Sequence, residues 1–372
     1  MNPFRFETPL DPSALIGRDN EIAQLVTYAK ERRIVSVAAP RRYGKTSLLR
    51  AAGGRLQERD GFVVVHVDLL GLAGPDDFAA RFGTAWRRAV HGDRHLRREL
   101  ERLVGGLGSF GVTLLGSGVQ VSRRERAGVL SVVHALLDLP GEAGRPVLVV
   151  LDEFQALHGV WPEGEGVLRS HSQSPEQAGK VAYAFAGSEP SLLEAAFADQ
   201  GRAYYQQVLQ LPLGRLADRD LSLGIARAFA RTDKDSGTAL GPLVQLVAGH
   251  PQRAMLLAHL LWDATTRRAA AGAEQWQRAL SQARTLTSDE AQAIWESLTP
   301  VQRAALRSVV LHASPTVVEA DPAVSKGSRQ SAATLLLRRG LVESDPAPGP
   351  RGGRRYRLVD PMLDDWVRQR RT

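Results

Sequence analysis

The 372-residue chain has no cysteine. Disulfides and thiolate-bound zinc are therefore excluded, and a reducing compartment is compatible with the composition. Long apolar runs are also missing: no stretch approaches the roughly 20 residues that span a bilayer as a helix. The opening residues, Met1-Asn2-Pro3-Phe4-Arg5-Phe6-Glu7, lack the basic-then-apolar order of a secretory leader. A cytoplasmic protein without membrane attachment is expected. Lysine is scarce, with five against 43 arginines. No internal repeat of solenoid length is apparent.

What is present fits an ordinary globular protein of two or three domains, with 43% hydrophobic and 24% charged residues. The net charge of +8 and a pI near 10.1 favour a polyanionic partner. Abundant Ala, Gly and Arg are equally what a GC-rich genome encodes, so charge alone decides little. Apolar runs of strand length alternate with helical patterns up to about residue 215, which predicts an α/β domain with a parallel sheet. The predicted strands are Ile34–Ala39, Val63–Val67, Val147–Leu151, Ala182–Ala186 and Tyr205–Leu211. Alternating apolar positions in the glycine-rich stretch Gly105–Ser122 predict an inserted β-hairpin. The domains expected are an α/β core over 1–215, a small helical domain over 216–285 and a third domain over 286–372.

The strongest local signal is Pro40-Arg41-Arg42-Tyr43-Gly44-Lys45-Thr46-Ser47, which follows a predicted strand and opens an apolar helix. Such a turn wraps backbone N–H groups around a polyphosphate, and the helix N-terminus adds favourable dipole charge. Lys45 would reach the β- and γ-phosphates, and the Thr46 hydroxyl would ligate Mg²⁺. The usual first glycine of this P-loop pattern is Ala39 here, which is tolerable where φ is negative.

A second motif, Val147-Leu148-Val149-Val150-Leu151-Asp152-Glu153-Phe154, ends a buried strand in two carboxylates. Asp152 would hold Mg²⁺, directly or through water, and Glu153 would polarise the attacking water as general base. Taken alone, the pair is as readily an acidic cap on the next helix. Its place about a hundred residues after the P-loop favours the nucleotide reading.

These two motifs, with Gln155 following the second, resemble the archaeal-type ATPases of the signal-transduction ATPases with numerous domains, a P-loop branch close to the AAA+ group. The resemblance implies a P-loop sheet with helices on both faces, then a helical lid and a winged helix-turn-helix. It implies ATP or ADP, with Mg²⁺, as the ligand. It places Ile16 and Gly17 of Leu15-Ile16-Gly17-Arg18 near the adenine, with Pro251 of Gly249-His250-Pro251 packing against it. Ser188 would be the polar sensor that ends the fourth strand. Arg202 of Gly201-Arg202 would sense the γ-phosphate in cis or from a neighbouring subunit, so oligomerisation is allowed. Arg253 falls one place beyond the usual second sensor arginine.

From Leu298 onward, Thr299 would cap a helix with Pro300 in its first turn, a second helical piece is predicted at Thr316–Ala320, and a third at Ser328–Arg339 stops at Gly340. Two strands and a closing helix complete a winged helix-turn-helix reading. In double-stranded DNA, Arg329 would face bases or phosphates and Arg351, Arg354, Arg355 and Arg357 would grip phosphates. The same module can serve only packing or protein contact, and the sequence leaves the two even. The function expected is a slow Mg-dependent ATPase that switches DNA or protein binding. The alternative is a non-hydrolysing, nucleotide-bound regulator or scaffold.

Overall fold

The computed structural model describes residues 1–8, 10–106, 112–115, 118–121, 126–315, 325–348 and 354–370. The chain divides into two compact units. One holds Asp19–Ala39 and Lys45–Leu213; the other holds Met1–Arg18, Pro40–Gly44 and Gly214–Thr372.

The first unit contains β1 (Ile34–Ala38), β2 (Val63–Asp68), β3 (Val112–Leu115), β4 (Gly118–Val121), β5 (Val147–Asp152), β6 (Val181–Gly187) and β7 (Leu209–Gln210). A five-stranded sheet runs β2-β5-β6-β1-β7, and every neighbouring pair is parallel. β5 and β6 are buried at every position, as their unbroken apolar runs require of central strands covered on both faces. Phe78, Phe82 and Trp86 pack with Val65, Val149 and Phe185 on one face. β3 and β4 pair antiparallel with Val112 opposite Val121, the hairpin that the alternation predicts.

The strand predicted at Tyr205–Leu211 is only Leu209–Gln210. Packing is carried by the residue that precedes the predicted run, while Tyr205 itself is half-buried. Tyr204 is buried against Phe154, Phe185 and Phe197, and Gln206 takes a left-handed φ of 53° that breaks the extended run.

In the second unit, helices Asp218–Ala230, Leu240–Val247, Pro251–Ala264 and Ala273–Glu296 enclose a core that includes Leu221, Ile225, Phe229, Leu243, Leu257 and Leu261. Phe4 joins it, 5.5 Å from the Phe229 ring, and Asn2 Nδ2 donates to the His259 carbonyl at 3.1 Å. The first eighteen residues thus cluster with the later helices and apart from the α/β core.

Ala273–Glu296 runs unbroken through the boundary expected at 285/286. It contains neither Gly nor Pro, so nothing in its backbone stops the helix. Beyond it come helices Pro300–His312 and Lys326–Arg338, antiparallel strands β8 (Val342–Pro348) and β9 (Arg354–Leu358), and helix Pro361–Gln369. Thr299 and Gln302 form a reciprocal capping box on the first of these helices, with N···O distances of 3.3 and 3.0 Å. The helix predicted at Thr316–Ala320 lies outside the described residues. No helix among the described residues is long and apolar enough to cross a membrane.

Gly249 and His250 set the entry to Pro251–Ala264. Gly249 has φ +81°, and a Cβ there would stand 2.5 Å from the Leu216 carbonyl oxygen. His250 Nδ1 accepts from the Arg253 N–H at 3.2 Å as the N-cap. Burial pushes the His250 imidazole down to about 3, with Arg215 and Arg253 acting in the same direction and Asp360 against it. Unfolded, the ring takes its proton near 6.5. Between these values the unfolded chain binds the extra proton, so stability is full above the upper value and falls as pH drops toward the lower. The expected slope is up to about 1.4 kcal/mol per pH unit. His250→Asn replaces the capping ring nitrogen with an amide oxygen that still accepts but does not titrate. Denaturant midpoints measured from pH 7 to 4 should fall more steeply in the wild-type protein than in this variant.

Candidate functional site

Parallel pairing decides which strand ends meet. β6 lies between β1 and β5, so the residues that follow β1 and those that end β5 emerge at the same edge of the sheet, where open α/β sheets bind ligands. Lys45 and Thr46 open the helix Lys45–Asp60 after β1, and Asp152 ends β5.

Lys45 is 7% exposed, and its Nζ donates to the Ala39 carbonyl at 2.9 Å. Thr46 Oγ1 donates to Asp152 Oδ2 at 2.9 Å. His66, on β2, stands with Nε2 3.5 Å from the same oxygen. Burial by itself would raise the Asp152 carboxyl. The hydrogen bond and charge of His66, the Thr46 hydroxyl and the Lys45 charge outweigh it and hold the carboxyl below its ordinary value. An ionised aspartate beside a hydroxyl is the all-oxygen donor set that suits Mg²⁺. His66 escaped the sequence reading. Its only signal is one polar residue inside the apolar run Val63-Val64-Val65-His66-Val67.

Glu153 adopts a left-handed φ of 56°. Its Oε2 accepts from Ser188 Oγ at 2.7 Å, Ser188 N at 3.1 Å and Gln155 Nε2 at 2.6 Å. The structure thus brings Glu153 and Ser188 together. Arg202 has a different fate: its guanidinium pairs with the buried carboxylate of Glu165. Among the described residues it makes no contact with Lys45, Thr46, Asp152 or Glu153, and a sensor role would require it to leave Glu165.

Several further residues belong to the second unit. Arg18 Nη2 donates to the carbonyls of Gly214 at 2.6 Å and Tyr43 at 3.4 Å. Gly17 has φ +64°, and a Cβ there would meet Asp220 at 2.8 Å; Ile16 packs over Gly224 just as closely. Pro40 is half-buried and Arg41 exposed. Arg42, with φ 69°, pairs with Glu290 at 2.7 Å. Tyr43 is buried, stacks edge-on against His250 with ring centroids 5.2 Å apart, and donates its hydroxyl to Glu343 Oε2 on β8 at 2.9 Å. Burial pushes the Tyr43 hydroxyl well up, so it stays a neutral donor. Arg253, after Pro251, is consumed by Asp360 and Glu290.

The arginines assigned to DNA fare unequally. Arg329 is 3% exposed. It shares one face of Lys326–Arg338 with the buried Ala332, Ala333 and Leu336, so the i, i+3, i+4, i+7 pattern turns it into the core and not toward a duplex. That placement corrects the recognition role read from the sequence. Arg355 pairs with Asp345 at 3.6 Å and Arg357 with Glu343 at 2.8 Å. Arg351 lies outside the described residues, and Arg354 sits on β9.

Comparison with known proteins agrees with this geometry. Residues 14–177 match the family model described as AAA ATPase domain. The structure of the Walker-type ATPase of Pyrococcus abyssi superposes with a TM-score of 0.68 at 16% identity, covering 98% of this chain and 99% of that one. The Aeropyrum pernix ORC2 protein in its ADPNP–ADP complexes gives 0.60 at 17% identity, covering 98% and 97%. At such identities the likeness establishes the fold, a P-loop ATPase sheet with helices. No curated protein sequence matches the chain.

Lys45→Ala removes the one buried ammonium at the mouth of the Lys45–Asp60 helix. Titration calorimetry with ATP should show affinity reduced by about tenfold or more, the worth of a charge-assisted contact to phosphate. Its thermal midpoint without nucleotide should stay close to wild type.

Proposed function

We propose that the protein binds ATP with Mg²⁺ at Lys45, Thr46 and Asp152, hydrolyses it slowly, and uses its nucleotide state to switch a partner-binding segment at its C-terminal end. The observation that carries this reading is the 2.9 Å bond from Thr46 Oγ1 to Asp152 Oδ2 beside the buried Lys45 ammonium. The AAA ATPase domain match over residues 14–177 supports the same ligand, as does the Aeropyrum pernix ORC2 fold, which was solved with ADPNP and ADP.

In this reading the N–H groups of Pro40–Ser47 other than proline's cradle the phosphates, and Lys45 neutralises the charge that grows on the γ-phosphate. Bound Mg²⁺ would add charge neutralisation at the phosphate oxygens, with Thr46 and the ionised Asp152 as its protein ligands. Glu153 takes the proton of the attacking water, and Ser188 orients Glu153. Ile16, Gly17 and Pro251 are assigned to the adenine through the resemblance to signalling ATPases.

The route to the C-terminal segment is supported inside one compact unit. Arg42 and Tyr43, the residues before Gly44-Lys45, are tied to Glu290 and Glu343. Glu343 also receives Arg215 and Arg357. Rearrangement of the loop around phosphate would therefore strain these bonds and be felt at β8. The helix–helix–hairpin order of residues 300–369 supports a winged-helix output. Its partner is a protein or DNA. The carboxylates that face Arg355 and Arg357 favour protein; the net charge of +8 favours DNA. A second reading, a non-hydrolysing regulator, is favoured by the engagement of Glu153 with Ser188 and of Arg202 with Glu165.

The experiment is phosphate release by purified protein, with and without duplex DNA, after identification of any nucleotide freed by denaturation. Glu153→Gln should bind ATP within about twofold of wild type and lose turnover by a factor on the order of 10². Unchanged turnover in that variant excludes Glu153 as the base. Tyr43→Phe should leave turnover within about threefold but weaken the nucleotide dependence of protease protection in residues 300–369, since it removes one hydrogen bond to a carboxylate.

A further inference from the structure

We infer that Gln155 is a positioning residue for Glu153, fixing where that carboxylate sits and thereby how fast bound ATP is hydrolysed. The inference rests on the reading of Glu153 as the base. Three donors converge on a single carboxylate oxygen, Oε2: Gln155 Nε2 at 2.6 Å, Ser188 Oγ at 2.7 Å and Ser188 N at 3.1 Å. Two come from one residue at the end of β6. Gln155 alone supplies the third, from the helix Gln155–Val160 that follows β5.

The placement of Gln155 is specific. Its Oε1 is buried and has no hydrogen-bond partner among the described residues, and leaving an acceptor in that condition is costly. A side chain that only filled space would satisfy both ends of its amide or be apolar. Here the donor end is committed to Glu153 at the expense of the acceptor end. The neighbouring backbone makes room for it: a Cβ at Gly187 would stand 2.4 Å from Gln155 Oε1 and 3.1 Å from Leu193 Cδ2. Gly187 therefore permits the amide to reach Glu153, while Ser188, the next residue, holds the same carboxylate. Glu153 sits at a left-handed φ, a conformation with few ways to relax, so the donors around it govern its side chain.

A general base must lie within hydrogen-bond reach of the proton it takes, and small misplacements cost large factors in rate. Gln155 thus acts on turnover and not on affinity, because its described bonds go to Glu153 and none goes to Lys45, Thr46 or Asp152.

Two variants test this independently. Gln155→Leu removes the donor at similar volume. Gly187→Ala leaves the amide in the chain but displaces it. Steady-state ATPase assays should show kcat reduced about tenfold or more in each, with KM and the Kd for a non-hydrolysable ATP analogue within about twofold of wild type. Gln155→Asn, which keeps a donor on a shorter arm, should recover part of the loss. Equal loss of affinity and rate, or an unchanged kcat in both variants, overturns the assignment. Crystal structures of wild type and Gln155→Leu give a readout that does not need turnover: the Glu153 carboxylate must leave its wild-type position. An unmoved carboxylate overturns the positioning role whatever the rate. A wild-type protein with no more turnover than Glu153→Gln defeats the base assignment instead, even if the carboxylate moves.

Discussion

The hydrogen bond between Thr46 and Asp152 depends on strand order. Their positions are 106 residues apart in sequence, and only the parallel insertion of β6 between β1 and β5 delivers both to one edge of the sheet. The apolar runs of β5 and β6 pin that order, since a strand buried on both faces has no other stable place. Once it is set, a buried ammonium, a hydroxyl and an ionised carboxylate stand together, and the chemistry of the site follows from their charge and hardness. His66, one strand farther out, contributes to keeping Asp152 ionised.

The second unit takes up the residues that precede Gly44-Lys45. Arg42 and Tyr43 are not spent on the sheet; they reach carboxylates on the helix Ala273–Glu296 and on β8. Glu290 collects Arg42 and Arg253, and Glu343 collects Tyr43, Arg215 and Arg357. Each of the two acceptors is shared, so removing one of its charged donors shifts the load onto the remaining ones. A nucleotide that reorganises the loop would act on these bonds, which is the basis of the proposed switch.

Much of this was legible in the sequence where chemistry demands a residue at a fixed distance from a strand. Lys45, Thr46, Asp152 and Glu153 follow from motif and strand together. The Thr299 cap is likewise local and is found where expected, and the structure adds Gln302 to it as a capping box. Residues whose role depends on a partner far along the chain were not legible. Glu290 and Glu343 carry no local signal, since any surface helix or strand holds glutamates. Gln155 directly follows the second motif, but its bond to Glu153, with Gly187 beside it, is visible only in the fold. The charge of Arg329 suggests DNA, whereas the spacing of Ala332, Ala333 and Leu336 marks the buried face it shares. The strand predicted from Tyr205 is shortened because Gln206 takes a left-handed φ, which no local signal marks.

The most direct measurement is a crystal structure of the protein grown with Mg²⁺ and a non-hydrolysable ATP analogue. The account requires the β- and γ-phosphates against Lys45, with the metal about 2.1 Å from Thr46 Oγ1 and reached by Asp152 directly or through one water. A nucleotide bound elsewhere, or phosphates that leave the Thr46–Asp152 bond untouched and metal-free, would contradict it.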